Sequence, residues 1–313
     1  MSKLGVVFAG QGSQYLGMGL DFCSINQQTQ QILDEASIIL GYDVKQKLSF
    51  SSDELNQTVF TQPLVFLSTI FAFDELIKYT ESIEGALGFS LGEYAAFYAA
   101  NIFSFKDLLM MVQHRGFLMN HEASIHRGKM AAIVGLDSNI VNQICHGIKS
   151  EKVVCANFNS PFQTVISGEE DAVDDAIKLC IREGAKRTII LNVSGAFHSP
   201  LMKNAALKFY EYIKPIEVNL PTKAVYLNTT SELLNIKDIK EDMMKQIFSP
   251  VLFMQSIKQM INDGFTHFIE VGPGNVLSAQ LKKIDGNLEV TNLSNINDIE
   301  HVKGWLLKHG FEK

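Results

Sequence analysis

Residues 4–8, Leu-Gly-Val-Val-Phe, form an unbroken apolar run that stops at the turn Gly10-Gln11-Gly12. A strand with one solvated face alternates apolar and polar side chains. An unbroken run instead belongs to a strand covered on both faces, the condition of a parallel sheet with helices on either side. This strand is therefore expected near the middle of such a sheet. Residues 85–88 read as a second short buried strand, which passes through Phe89-Ser90-Leu91-Gly92 into the strongly helical segment 93–99. Residues 265–271 read as another strand, closed by Gly272-Pro273-Gly274, and residues 288–293 as a last one before a helix around Trp305. Residues 63–76 are apolar at nearly every position, too long for one strand and so a buried helix. Residues 105–120 continue as an amphipathic helix that carries His114 and Arg115.

Residues 128–191 keep a different rhythm: strand 130–134, helix 139–148, strand 153–157, strand 164–167, helix 172–183, strand 187–191. That order is the β-α-β-β-α-β unit of ferredoxin-like type. The α/β pattern resumes afterwards, so the expected fold class is α/β. A parallel-sheet core is expected from residues 1–127 and 192–313, with residues 128–191 inserted as a small subdomain. A chain of 313 residues has room for both. Ser199-Pro200 supplies an N-cap and a first-turn proline for the next helix, where Leu201, Ala205, Phe209 and Ile213 recur every four residues.

Composition narrows the functional classes. At 46% hydrophobic and 19% charged the chain is an ordinary globular one. Lys and Arg number 27 against 34 Asp and Glu, a net charge of −7 that argues against a nucleic-acid partner and requires any polyanionic partner to meet a local basic patch. The apolar stretches 64–73 and 94–103 fall short of the roughly 18 to 20 residues needed to cross a bilayer and read as core helices, so no membrane partner is expected. The apolar start, residues 1–8, is too brief for a signal peptide, and a cytoplasmic location is expected. Cys23, Cys145, Cys155 and Cys180 lie far apart in sequence, with neither C-x-x-C nor His/Cys ligand spacing. Free thiols are expected, without a metal site or a disulfide framework.

Gly88-Phe89-Ser90-Leu91-Gly92 fits G-x-S-x-G, in which small flanking residues let a serine occupy a strained strand-to-helix turn with its hydroxyl exposed. The same five residues could form an ordinary helix-start turn, but the strand before and the helix after are the context a nucleophile requires. The Leu91 N–H, at the new helix's start, would face an oxyanion forming beside Ser90. A serine hydroxyl needs an adjacent base, and eight histidines are candidates. His114, His121 and His126 fall in or near a polar helix end, and His146, His267, His301 and His309 fit ordinary helix and strand patterns. His198 differs: it follows a strand read over 188–193 and precedes a capped helix, where α/β enzymes place active groups. Gly10-Gln11-Gly12 lacks the third glycine of a dinucleotide fingerprint and the Lys-Ser/Thr of a P-loop. It remains either a plain tight turn or a device that brings the Gln11 backbone close to a reacting atom. Arg115 stands in a largely apolar, neutral segment, either salt-bridged, or snorkelling, or holding a substrate carboxylate in a two-pronged fork.

Taken together these residues resemble the malonyl-CoA:acyl-carrier-protein transacylases of fatty-acid synthesis and the related acyltransferases of polyketide synthases. The landmarks are Phe8-Ala-Gly-Gln-Gly-Ser-Gln14, Thr61-Gln-Pro63, Gly88-Phe-Ser-Leu-Gly-Glu-Tyr94, His114-Arg-Gly116, Asn157-Phe-Asn-Ser-Pro161, Gly184-Ala-Lys-Arg187, Val193-Ser-Gly-Ala-Phe-His-Ser199, Gln246-Ile-Phe-Ser-Pro250 and Glu270-Val-Gly-Pro-Gly274. They span nearly the whole chain in order. The resemblance implies an α/β-hydrolase-like core with a ferredoxin-like insertion. It implies Ser90 as the acylated nucleophile, His198 as its base, Arg115 as the clamp on the malonyl carboxylate, the Gln11 and Leu91 N–H groups as the oxyanion hole, and Gln246 as a group that orients the histidine. The substrate would be a coenzyme A thioester, malonyl-CoA, with no bound cofactor, and the acceptor the phosphopantetheine thiol of an acyl carrier protein. Such a carrier is acidic, and Lys186, Arg187, Lys282 and Lys283 are the candidates to dock it. One departure stands out: many relatives carry histidine immediately before the serine, where this chain has Phe89.

Three other readings share some of these residues. A free-standing malonyl acyltransferase of a polyketide synthase would use the same set. A serine thioesterase or other hydrolase would share the elbow but has no use for a buried cation beside it, and a carrier-binding protein without catalysis would not need Ser90 and His198 together.

Overall fold

The computed structural model describes residues 2–148 and 152–313; Met1, at the head of the N-terminal apolar run, and residues 149–151, within the inserted unit, lie outside them. Strand β1 (Lys3–Phe8) is followed by short helices α1 (Leu20–Ile25), α2 (Gln27–Leu40), α3 (Val44–Phe50) and α4 (Ser52–Leu55), then the long α5 (Thr58–Leu76). Strand β2 (Ile83–Gly88) leads into α6 (Gly92–Ala99) and α7 (Phe105–Ile125). The middle of the chain gives β3 (Lys129–Val134), α8 (Ser138–Gly147), β4 (Val153–Ser160), β5 (Gln163–Gly168), α9 (Glu170–Arg182) and β6 (Arg187–Ile190). It returns through α10 (Lys203–Ile213), β7 (Ala224–Tyr226), α11 (Ile239–Gln246), α12 (Phe253–Asn262), β8 (Phe265–Val271), α13 (Val276–Ile284), β9 (Glu289–Leu293) and α14 (Ile299–His309).

Two sheets result. The first has the order β7-β2-β1-β8-β9 with every pairing parallel, so β1 occupies its centre, as its unbroken apolar run predicts. The second, β4-β5-β3-β6, is antiparallel in the ferredoxin-like order. Its two faces follow from the period-two alternation of strands. Ala131, Ile133, Cys155 and Ile166 pack under α8 and α9 with Cys145 and Cys180, so three cysteines far apart in sequence meet in one small core. Met130, Ala132 and Val165 point the other way, towards the carboxyl ends of β1 and β2, and a register shift between Cys155 and Asn157 in β4 turns Asn157 to that face as well.

Two helical expectations need correction. The apolar helix is longer than the ten-residue stretch suggested: α5 has 19 residues and the length and apolarity to cross a membrane, yet most of it is buried inside the protein. The stretch 94–103 is only partly helix, because α6 stops at Ala99 and Asn101 turns with φ +58°. Its remaining apolar residues, Ile102 and Phe103, stay in the core as a buried turn.

Candidate active site

Ser90 sits between β2 and α6 with φ +51°, a conformation that costs a non-glycine residue about 1–3 kcal/mol. The flanking glycines make the turn possible. A Cβ on Gly88 would lie 1.9 Å from Glu93 N, and one on Gly92 would lie 2.2 Å from Phe8 O, so the start of α6 lies against both strands more closely than any side chain allows. Asn228, two residues past β7, holds the strain in place: its Oδ1 accepts from Ser90 N–H at 2.7 Å while its Nδ2 donates to Gly88 O at 2.6 Å.

His198 reaches Ser90 from the opposite side, Nε2 to Oγ 2.7 Å. Nδ1 lies 2.8 Å from Gln246 O and 3.1 Å from Ser249 O, and both are acceptors. Nδ1 must therefore carry the proton, leaving Nε2 bare towards the serine hydroxyl. Burial, reinforced by the Arg115 charge and opposed by the two carbonyls, lowers the imidazole pKa to about 4, so it is neutral at pH 7. One expectation changes here. The strand before His198 ends at Ile190 and belongs to the antiparallel sheet, so His198 comes from a loop between the sheets and not from the end of a parallel strand. Its own φ is +57°. Gln246 meets the histidine through its backbone carbonyl, and its side chain points elsewhere.

Arg115, on α7, is 1% exposed. Its Nη1 donates to Gln62 Oε1 at 2.7 Å, and its Nη2 to Gln246 Oε1 at 2.9 Å and Ser90 Oγ at 3.2 Å. The guanidinium also lies over the Tyr94 ring, 5.7 Å from the centroid, and Nε has no acceptor. Among the described residues no carboxylate forms an ion pair with it, so a full positive charge is buried on neutral acceptors alone. Isolated buried charge is expensive, which leaves an opening for an anion.

These groups line a cavity of about 250 Å³ between the carboxyl ends of the parallel strands and the open face of the second sheet. Gln11 lines it as well, and neither its N–H nor that of Leu91 meets an acceptor among the described residues. The Gln11 side chain is tied back to Thr58 Oγ1 at 3.2 Å. Phe89 forms another wall, its ring set edge-on to Phe253 at 5.5 Å. No cluster of three or more metal-ligating side chains occurs among the described residues.

Of the four basic candidates, Lys283 touches a residue of the cavity wall, Gln163, and Arg187 stands two strands from it. Register pairs Arg187 with Val134 and Val134 with Gln163, two strand spacings or about 10 Å. Gln163 Oε1 accepts from Gln280 Nε2 at 3.0 Å and Lys283 Nζ at 3.3 Å. Lys186 and Arg187 are exposed, whereas Lys282 Nζ is bonded to the Leu288 carbonyl. Four partners of the site went unread in the sequence. Glu93 and Gln62 stood inside quoted landmarks, and a carboxylate in an apolar helix was a signal for the first. Asn228 offered only its place after a strand, and the Ser249 carbonyl has no side-chain signature at all.

A strained serine, a neutral imidazole and an unpaired buried guanidinium on an α/β frame define a site suited to moving an acyl group that carries a negative charge. The chain belongs to the acyl transferase family, whose model, described as an acyl transferase domain, matches residues 6–296. It is 37% identical over 310 residues to the malonyl CoA-acyl carrier protein transacylase of Staphylococcus aureus (strain COL), covering 97% of this chain and 99% of that one. It is 38% identical to the enzyme of the same name from Bacillus subtilis (strain 168), with 96% of each covered. Among solved structures, an MCAT from Streptococcus pneumoniae superposes with TM-score 0.92 at 35% identity, covering 97% of this chain and all of that one. A malonyl-transacylase held in complex with a type II polyketide acyl-carrier protein superposes with TM-score 0.93 at 32% identity, covering 97% and 99%.

Proposed function

We propose that this acyltransferase moves the malonyl group of malonyl-CoA to the phosphopantetheine thiol of an acyl carrier protein, in the cytoplasm and in the service of fatty-acid synthesis. The observation that carries the reading is the unpaired, buried Arg115 guanidinium 3.2 Å from Ser90 Oγ. Ser90 Oγ attacks the thioester carbonyl and passes its proton to His198 Nε2. The Gln11 and Leu91 N–H groups, without acceptors of their own, receive the oxyanion. Coenzyme A leaves as the thiol with the proton from His198, and the malonyl ester stays on Ser90 with its carboxylate against Arg115. The carrier thiol then attacks the ester, His198 taking and returning a proton in the reverse order. The two-part division of the chain, core 1–127 and 192–313 with insert 128–191, lets both thiols enter between the sheets, and Lys186, Arg187 and Lys283 flank that mouth. Lys282, bonded to its own loop, contributes less. No bound cofactor is needed, because the thioester supplies the activated acyl group.

Intact-protein mass spectrometry after mixing with malonyl-CoA or acetyl-CoA tests this. Wild type is expected to gain a malonyl adduct that holo carrier protein removes, and Ser90→Ala to gain none. Free malonate released without adduct or carrier transfer would point to a hydrolase instead. The polyketide alternative draws support from the neighbour bound to a polyketide carrier; a preference for that type of carrier over a fatty-acid carrier in the same assay would favour it.

A further inference from the structure

We infer that Glu93 is a positioning residue for acyl transfer: as a doubly accepting carboxylate it acts through Asn228 and Gln246 to hold the Ser90 elbow and the Arg115 fork in one arrangement. The inference rests on the acyl-transfer reading above. Glu93 lies in the first turn of α6, three residues past the serine, and is 1% exposed among Tyr94, Ala95, Ala96 and Phe97. The reaction scheme gives it no atom to touch, yet a buried carboxylate needs a reason to be there.

Its two oxygens divide the work. Oε1 accepts from the Asn228 backbone N–H at 2.8 Å, and Oε2 accepts from Gln246 Nε2 at 2.8 Å. Each partner grips the elbow in turn. The Asn228 side chain spans Gly88 O and Ser90 N–H, the two groups that fix the strained turn. Gln246 Nε2 also donates to Ser90 O at 2.7 Å, while Gln246 Oε1 receives Arg115. If the Gln246 amide were reversed, its oxygen would face the Ser90 carbonyl and the Glu93 carboxylate, and its NH2 group would face the guanidinium. Three attractions would become three repulsions. The ionised Glu93 joins the Ser90 carbonyl and Arg115 in fixing which way that amide points.

Both partners of Glu93 are donors, and the Asn228 N–H can be nothing else. A glutamine must therefore aim an NH2 hydrogen at a donor, and a protonated acid meets one of the two with a hydroxyl, a weaker acceptor than a carboxylate oxygen. Either Asn228 or Gln246 loses its anchor, and with it the elbow or the fork. Burial pushes the Glu93 pKa up to about 7, against the pull of the Asn228 N–H, the Gln246 amide and Arg115. The charges that reach it are Arg115 from α7 and Asp242 from α11; β1, β2 and α5, also packed on α6, bring none. His198, with its pKa near 4, cannot supply a loss of activity around neutrality.

The experiment is single-turnover acylation by malonyl-CoA and acetyl-CoA in wild type and Glu93→Gln between pH 5.5 and 8.5, with thermal melting of the same samples. Wild type is expected to lose acylation rate as pH falls through about 7. Glu93→Gln is expected to be about 10- to 100-fold slower at pH 8 with both donors, as loss of a hydrogen bond to a charged group implies, with a flat profile and, at pH 8, a melting temperature close to wild type. Wild-type rates in the variant, or the wild-type acid limb persisting in it, would overturn the inference. If the variant does not fold, the wild-type profile decides: a flat rate from pH 8.5 to 5.5 without melting overturns it. Failure of wild type to form any acyl adduct would overturn the transfer reading itself, a separate outcome.

Discussion

Replacing Arg115 by Met keeps the packing of an unbranched stem beside Tyr94 and removes the charge. In the free protein the guanidinium rests on two glutamine oxygens and the Ser90 hydroxyl, with no anion beside it. A malonyl carboxylate would pair directly with a guanidinium that is 1% exposed and has no ion-pair partner among the described residues. Truncating one member of a buried, hydrogen-bonded charge pair costs about 2 to 5 kcal/mol or more, and the near-complete burial puts this pair towards the upper end. The expected fall in kcat/KM for malonyl-CoA is therefore roughly 30-fold to a few thousandfold. Acetyl-CoA brings no carboxylate and should lose only the share due to the Arg115 contact with Ser90 Oγ, itself one hydrogen bond to a charged group, about 10- to 100-fold. Initial rates with both donors, measured against one carrier protein, give the ratio directly. Equal losses would refute the clamp and leave Arg115 as a support for the nucleophile alone.

Two buried groups give opposing pH dependences of stability. His198 is lowered from 6.5 to about 4, so its contribution is fully present above pH 6.5 and is lost as pH falls to about 4. Glu93 is raised from 4.5 to about 7, so its contribution is fully present below pH 4.5 and is lost as pH rises through about 7. Each is on the order of 3 kcal/mol, and they largely mask each other. Relative to wild type, Glu93→Gln should lose melting temperature as pH is lowered from 7 to 4.5, and His198→Ala should gain it from 6.5 to 4; parallel curves would contradict the assignments. In Arg115→Met the His198 pKa, followed by NMR of the ring, should rise because the second cause of its depression is gone; no change would mean that burial acts alone. Gly92→Ala places a Cβ 2.2 Å from Phe8 O and should destabilise by about 3 kcal/mol or more, read by urea denaturation. Charge reversal of Lys186 and Arg187 should raise KM for the carrier protein and flatten its salt dependence, with little effect of Lys282→Glu; indifference of all three would remove the docking surface.

Four of the five parallel strands and the inserted sheet were legible because those strands announce their surroundings, whereas the three-residue edge strand β7 is too short to show a pattern. β1 is apolar from Leu4 to Phe8 and sits at the centre, while the strands of the insert are bounded by clear turns. Ser90 was legible from the strand, turn and helix that frame it. What the sequence did not carry was proximity. His198 lies 108 positions from Ser90 and enters from a loop that bridges the two sheets, beyond a strand that ends earlier than the 188–193 read from the sequence. Gln246 was expected to orient the histidine, but the atom that meets the ring is its carbonyl oxygen; main-chain atoms are the same in every residue, and no motif reports which carbonyl will accept a hydrogen bond. Glu93, Gln62 and Asn228 matter through hydrogen bonds between residues 53 to 153 positions apart, which only the closed fold defines.

The site gathers several local costs in one place: two non-glycine residues at positive φ, a cation without an ion-pair partner and a carboxylate buried in an apolar helix. Their adjacency has a physical consequence. Arg115 depresses His198, and Glu93 reaches Arg115 through a single amide, so the proton affinity of the imidazole is tied to the state of the guanidinium. In the proposed reaction, a donor carboxylate that neutralises Arg115 would remove one of the forces that weaken the imidazole, and His198 would gain strength as a base when Ser90 needs it. An uncharged acyl group fills the same cavity without that effect. Discrimination is then expressed in proton transfer as well as in binding, which ties selectivity to the chemical step and not to affinity alone.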